Sequence, residues 1–223
     1  MVERFGGTNV RQRLVVCDLD GTLLSVNSFR LWVLYWDVMG LFCPPFLAVW
    51  LIAQGRRLVG GSDRAVMKME LMRTYERFEG RLPMRLKSCF LWLLRMTINR
   101  RVQRMIEAYR GDGVPVLLAT AAPCFYATPF GECLGVDGTV ASYLEKGRMM
   151  EMVGDCKRVA VLHWLGADGG GRADWIMVAL TDHQDDLPLA LEADWTYLVN
   201  PSAESCRSFK SAGVAFKVLK SRG

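Results

Sequence analysis

Residues 14–24 read LVVCDLDGTLL, an apolar run that leads directly into two aspartates and a glycine. The run Leu14–Cys17 is short and follows polar residues, which predicts a buried β-strand. Gly21 breaks the strand into a turn, so that Asp18 and Asp20 stand at its carboxyl end. Ligands of open α/β sheets bind outside the carboxyl ends of the strands. This stretch therefore predicts a functional site on the first strand of a sheet.

Apolar runs further along the chain predict the rest of the sheet. PVLLAT at Pro115–Thr120 and WIMVALT at Trp175–Thr181 read as buried strands, and Asp182 follows the second of them directly. Such strands alternating with helices predict an α/β fold with a parallel, doubly wound sheet. The other predicted elements are helices at Cys124–Cys133 and Lys157–Trp164, hairpin strands within Val136–Met152, and strands at Trp195–Val199 and Val214–Leu219.

Four aspartates are expected to meet at these strand ends. Asp18 can act as a nucleophile on phosphorus, and Asp20 can protonate a leaving oxygen and later deprotonate water. Asp182 and Asp186 add two carboxylates after another strand. Like charges 4 Å apart repel by about 4 kcal/mol at an intermediate dielectric, so a bound cation is needed. All-oxygen ligands favour a hard ion, and Mg²⁺ is the usual partner of phosphate.

A phosphate group also needs donors for its other oxygens. Thr120 and Ala121, at the end of their strand, are expected to contact the phosphate. Lys157 begins a predicted helix, and its ammonium group can neutralise phosphoryl charge. Lys146 is the competing candidate for this role. His183, beside Asp182, is a candidate contact to the substrate.

These motifs together resemble those of a known family. Asp18–Leu24 (DLDGTLL), Thr120, Lys157 and the pair Asp182 and Asp186 are similar, in order and spacing, to the four motifs of the haloacid dehalogenase superfamily. The resemblance implies a Rossmann-like catalytic core and a phosphatase. It gives the first acid of DLDGTLL the role of nucleophile, through an aspartyl-phosphate, and the second acid the role of acid and base.

The resemblance also implies a metal site. Mg²⁺ would be bound by Asp18, by the main-chain carbonyl of Asp20 and by Asp182, with help from Asp186. Asp20 argues against dehalogenation, because the dehalogenase branch lacks the second aspartate.

A long helical segment follows the first motif. From Ser25 to Gly111 the pattern is almost wholly helical, and one long amphipathic helix is predicted behind Pro83, as far as Tyr109. This insertion is similar to the cap of the phosphoserine-phosphatase-like branch, subfamily IB. We therefore expect an all-helical cap over residues 25–110, and a Rossmann-like core formed by residues 1–24 and 111–223.

The cap contains an unusual apolar segment. Leu31–Ala53 carries one charge, Asp37, and is split by Pro44-Pro45, so neither half reaches the roughly 20 apolar residues that a membrane span needs. Two interpretations remain open: the helices pack on one another, or residues 31–57 make peripheral contact with a membrane, with Arg56 and Arg57 at the lipid headgroups. The segment is loosely similar to that of the phosphatidylglycerophosphatase C family, which dephosphorylates a lipid phosphate.

The sequence is therefore compatible with three functions. The first is a phosphatase of a lipid phosphate such as phosphatidylglycerophosphate, and the second is a soluble phosphatase of phosphoserine or another small phosphomonoester. The cap has no acidic residue just after DGTLL to bind a substrate amine, which weakens the case for phosphoserine. The third is a catalytically idle binding module that uses the fold as a scaffold.

Composition excludes several other classes. The chain has 223 residues, 51% of them hydrophobic, and a net charge of +5 that suits an anionic substrate or an anionic membrane surface. It has no motif for nucleic acid, and its two histidines exclude a histidine-rich metal site. Seven scattered cysteines fit free thiols in a reducing compartment. Residues 1–13 hold no apolar run of a signal peptide, so we expect a cytoplasmic protein, with or without association with a membrane.

Overall fold

One mostly parallel sheet forms the centre of the molecule. The structure, a computed structural model, describes residues 11–60, 64–166 and 171–220. Within these ranges the strands are β1 (Gln12–Cys17), β2 (Val116–Pro123), β3 (Gly138–Glu145), β4 (Arg148–Met150), β5 (Trp175–Thr181), β6 (Trp195–Val199) and β7 (Phe216–Leu219). They lie in the order β4-β3-β2-β1-β5-β6-β7. Only the β3–β4 hairpin is antiparallel among them, so the predicted α/β fold is confirmed.

The strand order reverses next to β1. β1 pairs with β2 on one side and with β5 on the other, both in parallel. The chain therefore crosses from one half of the sheet to the other at this strand. In a doubly wound sheet a crevice opens at such a point, beyond the carboxyl ends of the strands. Asp18 follows β1 at this crevice.

Helices cover both faces of the sheet. They are α5 (Arg100–Gly111), α6 (Cys124–Leu134), α7 (Asp155–Gly166), α8 (Leu187–Glu192) and α9 (Ala203–Ser211). Side chains of β1 alternate between the two faces, as the pleat of a strand requires. Val15 and Cys17 join one apolar cluster with Ile106 of α5, whereas Leu14 and Val16 join another with residues of α7 and α8.

Four further helices lie between β1 and β2, ahead of α5. They are α1 (Ser28–Met39), α2 (Pro44–Gly60), α3 (Arg64–Phe78) and α4 (Met84–Met96). Aromatic rings hold this helical layer together. Trp32 of α1 contacts Trp50 of α2 and Tyr75 of α3, with ring centroids 5.0 and 5.4 Å apart. It also lies 5.0 Å from Phe125 of α6, so the same cluster joins the layer to the rest of the molecule.

The single long helix predicted behind Pro83 is wrong. The structure has two helices there, because α4 ends at Met96 and α5 begins at Arg100. The side chain of Asn99 caps α5 by accepting a hydrogen bond from the backbone of Arg101. The break also pairs with the segment after β1, through a hydrogen bond from Asn99 N to the carbonyl of Leu23. The division of the chain at residues 24 and 110 stays a prediction.

The apolar hairpin of α1 and α2 is broken where the prolines predict. A short 3₁₀ turn at Gly40–Phe42 separates the helices, and Pro44 begins α2. In the part of the chain that the structure describes, every helix is too short or too polar to cross a bilayer. The side chains of Arg56 and Arg57, which we expected at lipid headgroups, lie outside the described residues.

Candidate active site

A buried ion pair lies at the base of the crevice. The backbone N–H of Asp18 donates to Leu180 of β5, which fixes the residue between the two central strands. Lys157, in the first turn of α7, places its Nζ 2.9 Å from Asp18 Oδ1 and 2.5 Å from Asp186 Oδ1. The side chains of all three are at most 12% exposed. The cation predicted to act on the phosphate thus lies directly beside the predicted nucleophile.

Asp20 is hydrogen-bonded to the start of the helical layer. Its Oδ1 accepts a hydrogen bond of 2.7 Å from the backbone N–H of Ser28, the first residue of α1. Ser28 is fully buried, and its Oγ lies 3.0 Å from the hydroxyl of Tyr126. Asp20 is therefore held at the point where the helical layer begins.

Asp182 packs tightly against the turn after β1. Gly21 has a φ of +77°, and a Cβ placed there would lie 2.1 Å from Asp182 Oδ2. Any larger residue at Gly21 would push this carboxylate away. The hydroxyl of Thr22 lies 3.4 Å from Asp182 Oδ1, a weak contact. Because Gly21 has no side chain, Asp182, which follows β5, can lie close to the main chain after Asp20.

The end of β2 forms the opposite wall. Thr120 is buried, and its Oγ1 accepts a hydrogen bond of 3.0 Å from the backbone N–H of Ala122. The register of β2 against β3 shifts between Thr120 and Pro123, so the strand bulges here. The carbonyl of Ala121 accepts hydrogen bonds from Ser142 and Lys68.

One cavity joins the predicted site residues. It has a volume of about 490 Å³. The eight residues predicted from the sequence all line it, and they are Asp18, Asp20, Thr120, Ala121, Lys157, Asp182, His183 and Asp186. Carboxylates from distant parts of the chain therefore meet in a single space, which is the arrangement that the motifs predicted.

His183 lies at the edge of this cavity. Its side chain is 54% exposed, and its Nδ1 lies 3.2 Å from Asp185 Oδ2. The backbone N–H of Asp185 also points to the same nitrogen at 3.2 Å. A role for His183 in binding substrate stays a prediction. Lys146, the competing lysine, lies in the β3–β4 turn and is not among the residues that line the cavity.

Lys68, a buried lysine of α3 that also lines the cavity, is not among the residues predicted from the sequence. Its Nζ donates to Glu151 at 2.5 Å and to the carbonyl of Ala121 at 2.8 Å. These contacts join the helical layer to the end of β2 and to the residue that follows β4. A signal was present in the sequence, because Lys68 lies three and four residues before the buried Leu71 and Met72, on the same face of the helix.

Burial changes the acid–base behaviour of the site. Burial raises the pKa of Asp18 to about 8, against the opposing effect of Lys157. Burial also raises the pKa of Asp182 to about 6, and that of Asp20 above its usual range. An aspartate in water is ionised at pH 7, but Asp18 is only 12% exposed. Its burial means that the ionised form needs more positive charge than Lys157 supplies.

Burial and neighbouring charge change the pKa of Lys157 in opposite directions. Burial lowers the pKa of Lys157, but the carboxylates of Asp18 and Asp186 raise it by more, so that it lies above its ordinary value. Lys157 is therefore charged throughout the neutral range. A permanent positive charge at this position suits the binding of a phosphate group.

The donors fit a magnesium ion that keeps some of its own water. Among the described residues, no three His, Cys, Asp or Glu side chains are grouped to hold a metal. Asp186 binds Lys157 and Thr181 through its two oxygens, and Asp20 faces Ser28. Asp18 and Asp182 remain, with the main-chain carbonyl of Asp20. Mg²⁺ is commonly bound by one or two carboxylates together with water and substrate phosphate.

Solved structures share this fold. A protein of unknown function from Bordetella pertussis Tohama I is 21% identical, with a TM-score of 0.75, over 94% of this chain and 98% of that chain. A substrate-bound phosphoserine phosphatase is 12% identical, with a TM-score of 0.57, over 89% and 90%. A phospho-aspartyl intermediate analogue of phosphoserine phosphatase is 11% identical, with a TM-score of 0.55, over 95% and 94%. At these identities the likeness concerns the fold.

Sequence comparison identifies the family. No curated protein matches the chain. The family model of the haloacid dehalogenase-like hydrolases matches residues 15–191, which include all eight predicted site residues and most of the chain. The chain therefore belongs to the haloacid dehalogenase-like hydrolases and is an enzyme of that family.

Proposed function

We propose that the protein is a magnesium-dependent phosphatase that hydrolyses a phosphomonoester through an aspartyl-phosphate on Asp18. The observation that carries the proposal is the single cavity in which Asp18, Asp20 and Asp182 meet Thr120 and Lys157. Phosphoryl transfer needs a nucleophile, a proton donor for the leaving oxygen and positive charge around the phosphate. The cavity offers a group for each of these tasks.

In the first step, a carboxylate oxygen of Asp18 attacks phosphorus and the bond from phosphorus to the ester oxygen breaks. Protonated Asp20 gives its proton to that oxygen, so the product leaves as a neutral alcohol. In the second step, Asp20 takes a proton from water, and the water oxygen bonds to phosphorus. The bond from phosphorus to Asp18 then breaks, which releases inorganic phosphate and restores both acids to their starting forms.

The other groups hold the phosphate in place. Lys157 lies 2.9 Å from the nucleophile and is fixed by Asp186, so its charge is positioned before the substrate arrives. The hydroxyl of Thr120 lies at the opposite wall of the same cavity. Bound Mg²⁺ supplies the further positive charge that favours ionised Asp18 and neutralises the phosphoryl oxygens.

Release of phosphate from a set of monoesters tests this function. The set should contain p-nitrophenyl phosphate, glycerol 3-phosphate, phosphoserine and phosphatidylglycerophosphate. We expect turnover of at least one of them that requires Mg²⁺ and stops when the metal is chelated. No metal-dependent release from any of them would favour an idle binding module.

The raised pKa values predict how magnesium and pH affect stability. Asp18 and Asp182 have pKa values of about 8 and about 6 in place of the ordinary 3.8, so the metal-free fold holds protons that the unfolded chain releases. The stability that they contribute is complete below about pH 4 and is lost as the pH rises through about 6 and about 8. The melting temperature of the chelated protein should therefore fall between about pH 4 and about pH 8.

Added Mg²⁺ should raise the melting temperature by several degrees at about pH 9 and by much less at about pH 6. Thermal melts at the two pH values, with chelator or with Mg²⁺, measure both effects. Asp182→Asn should remove most of the magnesium increment. Asp155→Asn is the matched control, since that side chain is 76% exposed and pairs with Arg158. An increment of equal size at both pH values would contradict the assignment of buried acids to the metal.

Two features of the helical layer favour a lipid phosphate as the substrate. Among the described residues, those that it contributes to the cavity are Asn27, Phe29, Ala65 and Lys68, which include an aromatic ring and a cation but no acid for an amine. The α1–α2 hairpin, in addition, exposes large apolar side chains. These are Leu34, Val38, Leu41, Phe42, Leu51 and Ile52, from 49% to 71% exposed. We propose that this surface contacts the membrane that holds the substrate.

Exchanging two of these side chains for serine should weaken binding to lipid vesicles. Leu41 and Phe42, 65% and 71% exposed at the turn of the hairpin, are the residues to replace. Full burial of such a side chain contributes about 1.5–3 kcal/mol, so the double change should reduce partition into anionic vesicles at least about tenfold. Met84→Ser is the control, because Met84 is equally exposed at 71% but starts α4. Binding that both variants retain, or that the unchanged protein lacks, would exclude this surface and leave a small phosphomonoester as the substrate.

A further inference from the structure

A buried chain of polar groups runs from α6 to Asp20. The hydroxyl of Tyr126, in α6, lies 3.0 Å from Ser28 Oγ. Ser28, the first residue of α1, donates its backbone N–H to Asp20 Oδ1 at 2.7 Å, and, against the rise that burial causes, its side chain lowers the pKa of Asp20 by favouring the charged carboxylate. Tyr126 is 3% exposed and Ser28 is 0% exposed. The chain therefore links Asp20 to two helices without water between them.

Both hydroxyl groups can donate a hydrogen bond if the bonds run in one direction, from Tyr126 to Ser28 and from Ser28 towards Asp20. Each hydroxyl carries one proton, and a carboxylate accepts but does not donate. If Tyr126 donates to Ser28, the proton of Ser28 remains for Asp20. Hydrogen bonds that run in one direction strengthen one another in a buried setting. Loss of either hydroxyl would leave the next group in the chain without its partner.

Packing alone does not require a tyrosine at this position. The ring of Tyr126 contacts Phe90 of α4 at 5.3 Å and Phe125 at 5.5 Å, contacts that a phenylalanine would keep. A buried hydroxyl costs about 1–3 kcal/mol when it has no hydrogen bond. The neighbouring rings therefore hold the ring of Tyr126, and its hydroxyl group hydrogen-bonds Ser28 Oγ.

We infer that Ser28 and Tyr126 are positioning residues, which hold the carboxyl group of Asp20 where it can reach the leaving oxygen. The inference rests on the proposed function, because it assigns Asp20 the task of protonating that oxygen. Neither residue is among those that line the catalytic cavity, so they act through Asp20 and not on the substrate.

The inference predicts an effect that depends on the leaving group. The leaving group of an alkyl phosphate is a basic alkoxide, which needs the proton of Asp20. The leaving group of p-nitrophenyl phosphate is a weakly basic phenolate, which does not. Tyr126→Phe and Ser28→Ala should each lower kcat/KM for the favoured alkyl phosphate by about tenfold. For p-nitrophenyl phosphate the loss should stay below about twofold. The double variant should be no worse than the worse single variant, since the two hydroxyls form one chain.

Tyr35→Phe is the matched control. The hydroxyl of Tyr35 donates to the carbonyl of Leu86 at 2.6 Å, and its ring lies 5.3 Å from the same Phe90. It has no link to Asp20, so its kcat/KM values should equal those of the unchanged protein. Thermal melts show whether each variant folds, and Ser28→Ala provides the test if Tyr126→Phe does not.

Two other results have different meanings. Equal losses on both substrates, or an equal loss in Tyr35→Phe, would overturn the positioning role while leaving the phosphatase in place. Absence of metal-dependent turnover of every monoester by the unchanged protein would instead overturn the proposed function, and the positioning role with it.

Discussion

Asp18→Asn should lower the release of phosphate by at least about a thousandfold, a loss of about 4 kcal/mol in stabilisation of the transition state. Asparagine has nearly the same shape as aspartate, but its neutral amide cannot attack phosphorus as a carboxylate does. The loss should concern kcat, because the groups that bind the phosphate remain. Steady-state assays on the best monoester of the set measure it.

The same change should leave the fold intact. Lys157 would lose one carboxylate but keep Asp186, at 2.5 Å, so the buried cation remains paired. Burial raises the pKa of Asp18 to about 8, so the acid resists ionisation where it stands, and its removal should not lower the melting temperature of the metal-free protein at alkaline pH. Asp185→Asn is the control, since Asp185 also lines the cavity but is 56% exposed. Near-normal turnover by Asp18→Asn would show that another group is the nucleophile.

The meeting of the site residues was predictable because of the way parallel sheets are built. Asp18 follows β1, Thr120 lies where β2 bulges, and Asp182 follows β5. These three strands are neighbours and run in the same direction, so their carboxyl ends reach one edge of the sheet. Apolar runs long enough to be buried strands were therefore sufficient to predict that the groups lie close together.

The direction of each side chain was less predictable. Asp186 lies in a 3₁₀ turn, where it pairs with Lys157 and Thr181, and the motif alone does not reveal those partners. The contribution of Asp186 to metal binding stays a prediction. Asp20 faces Ser28 because α1 begins beside it. The contacts of both aspartates depend on the residue at which the next helix begins. A local sequence pattern does not determine that residue.

The helical layer shows a second limit of sequence patterns. Apolar residues cover all sides of α1, so periodicity could not separate the buried face from the exposed one. Packing against α2, α3 and α6 buries Trp32 and Trp36, whereas Leu34 and Val38 remain 61% and 49% exposed. The apolar pattern likewise continued across residues 97–99, where local capping and pairing with the segment after β1 divide the predicted long helix.

Lys157→Met should have the largest effect on stability. It would leave two carboxylates, Asp18 and Asp186, buried without the cation that lies 2.9 and 2.5 Å from them. Removing one partner of a buried ion pair costs about 3–5 kcal/mol, because the remaining charge stays out of water. Methionine matches the four-atom apolar stem of lysine and lacks only the ammonium group, so the loss would come mainly from charge. Turnover should also fall by at least about a hundredfold, since positive charge beside the phosphate is lost.

The loss of stability in Lys157→Met should depend on whether the buried carboxylates are protonated. Protonation removes the unpaired charge, so the variant should recover much of its stability as the pH falls below the raised pKa of Asp18. Urea unfolding at about pH 8 and about pH 5.5 measures this recovery directly. Lys146→Met is the control, because Lys146 lies in the β3–β4 turn and should change neither stability nor turnover appreciably. If Lys157→Met instead unfolded at the same urea concentration as the unchanged protein at both pH values, the carboxylates would have to be protonated in the native site. Without the metal, Asp18 would then be neutral even at alkaline pH and so a poor nucleophile. Binding of magnesium would have to displace its proton before it could attack.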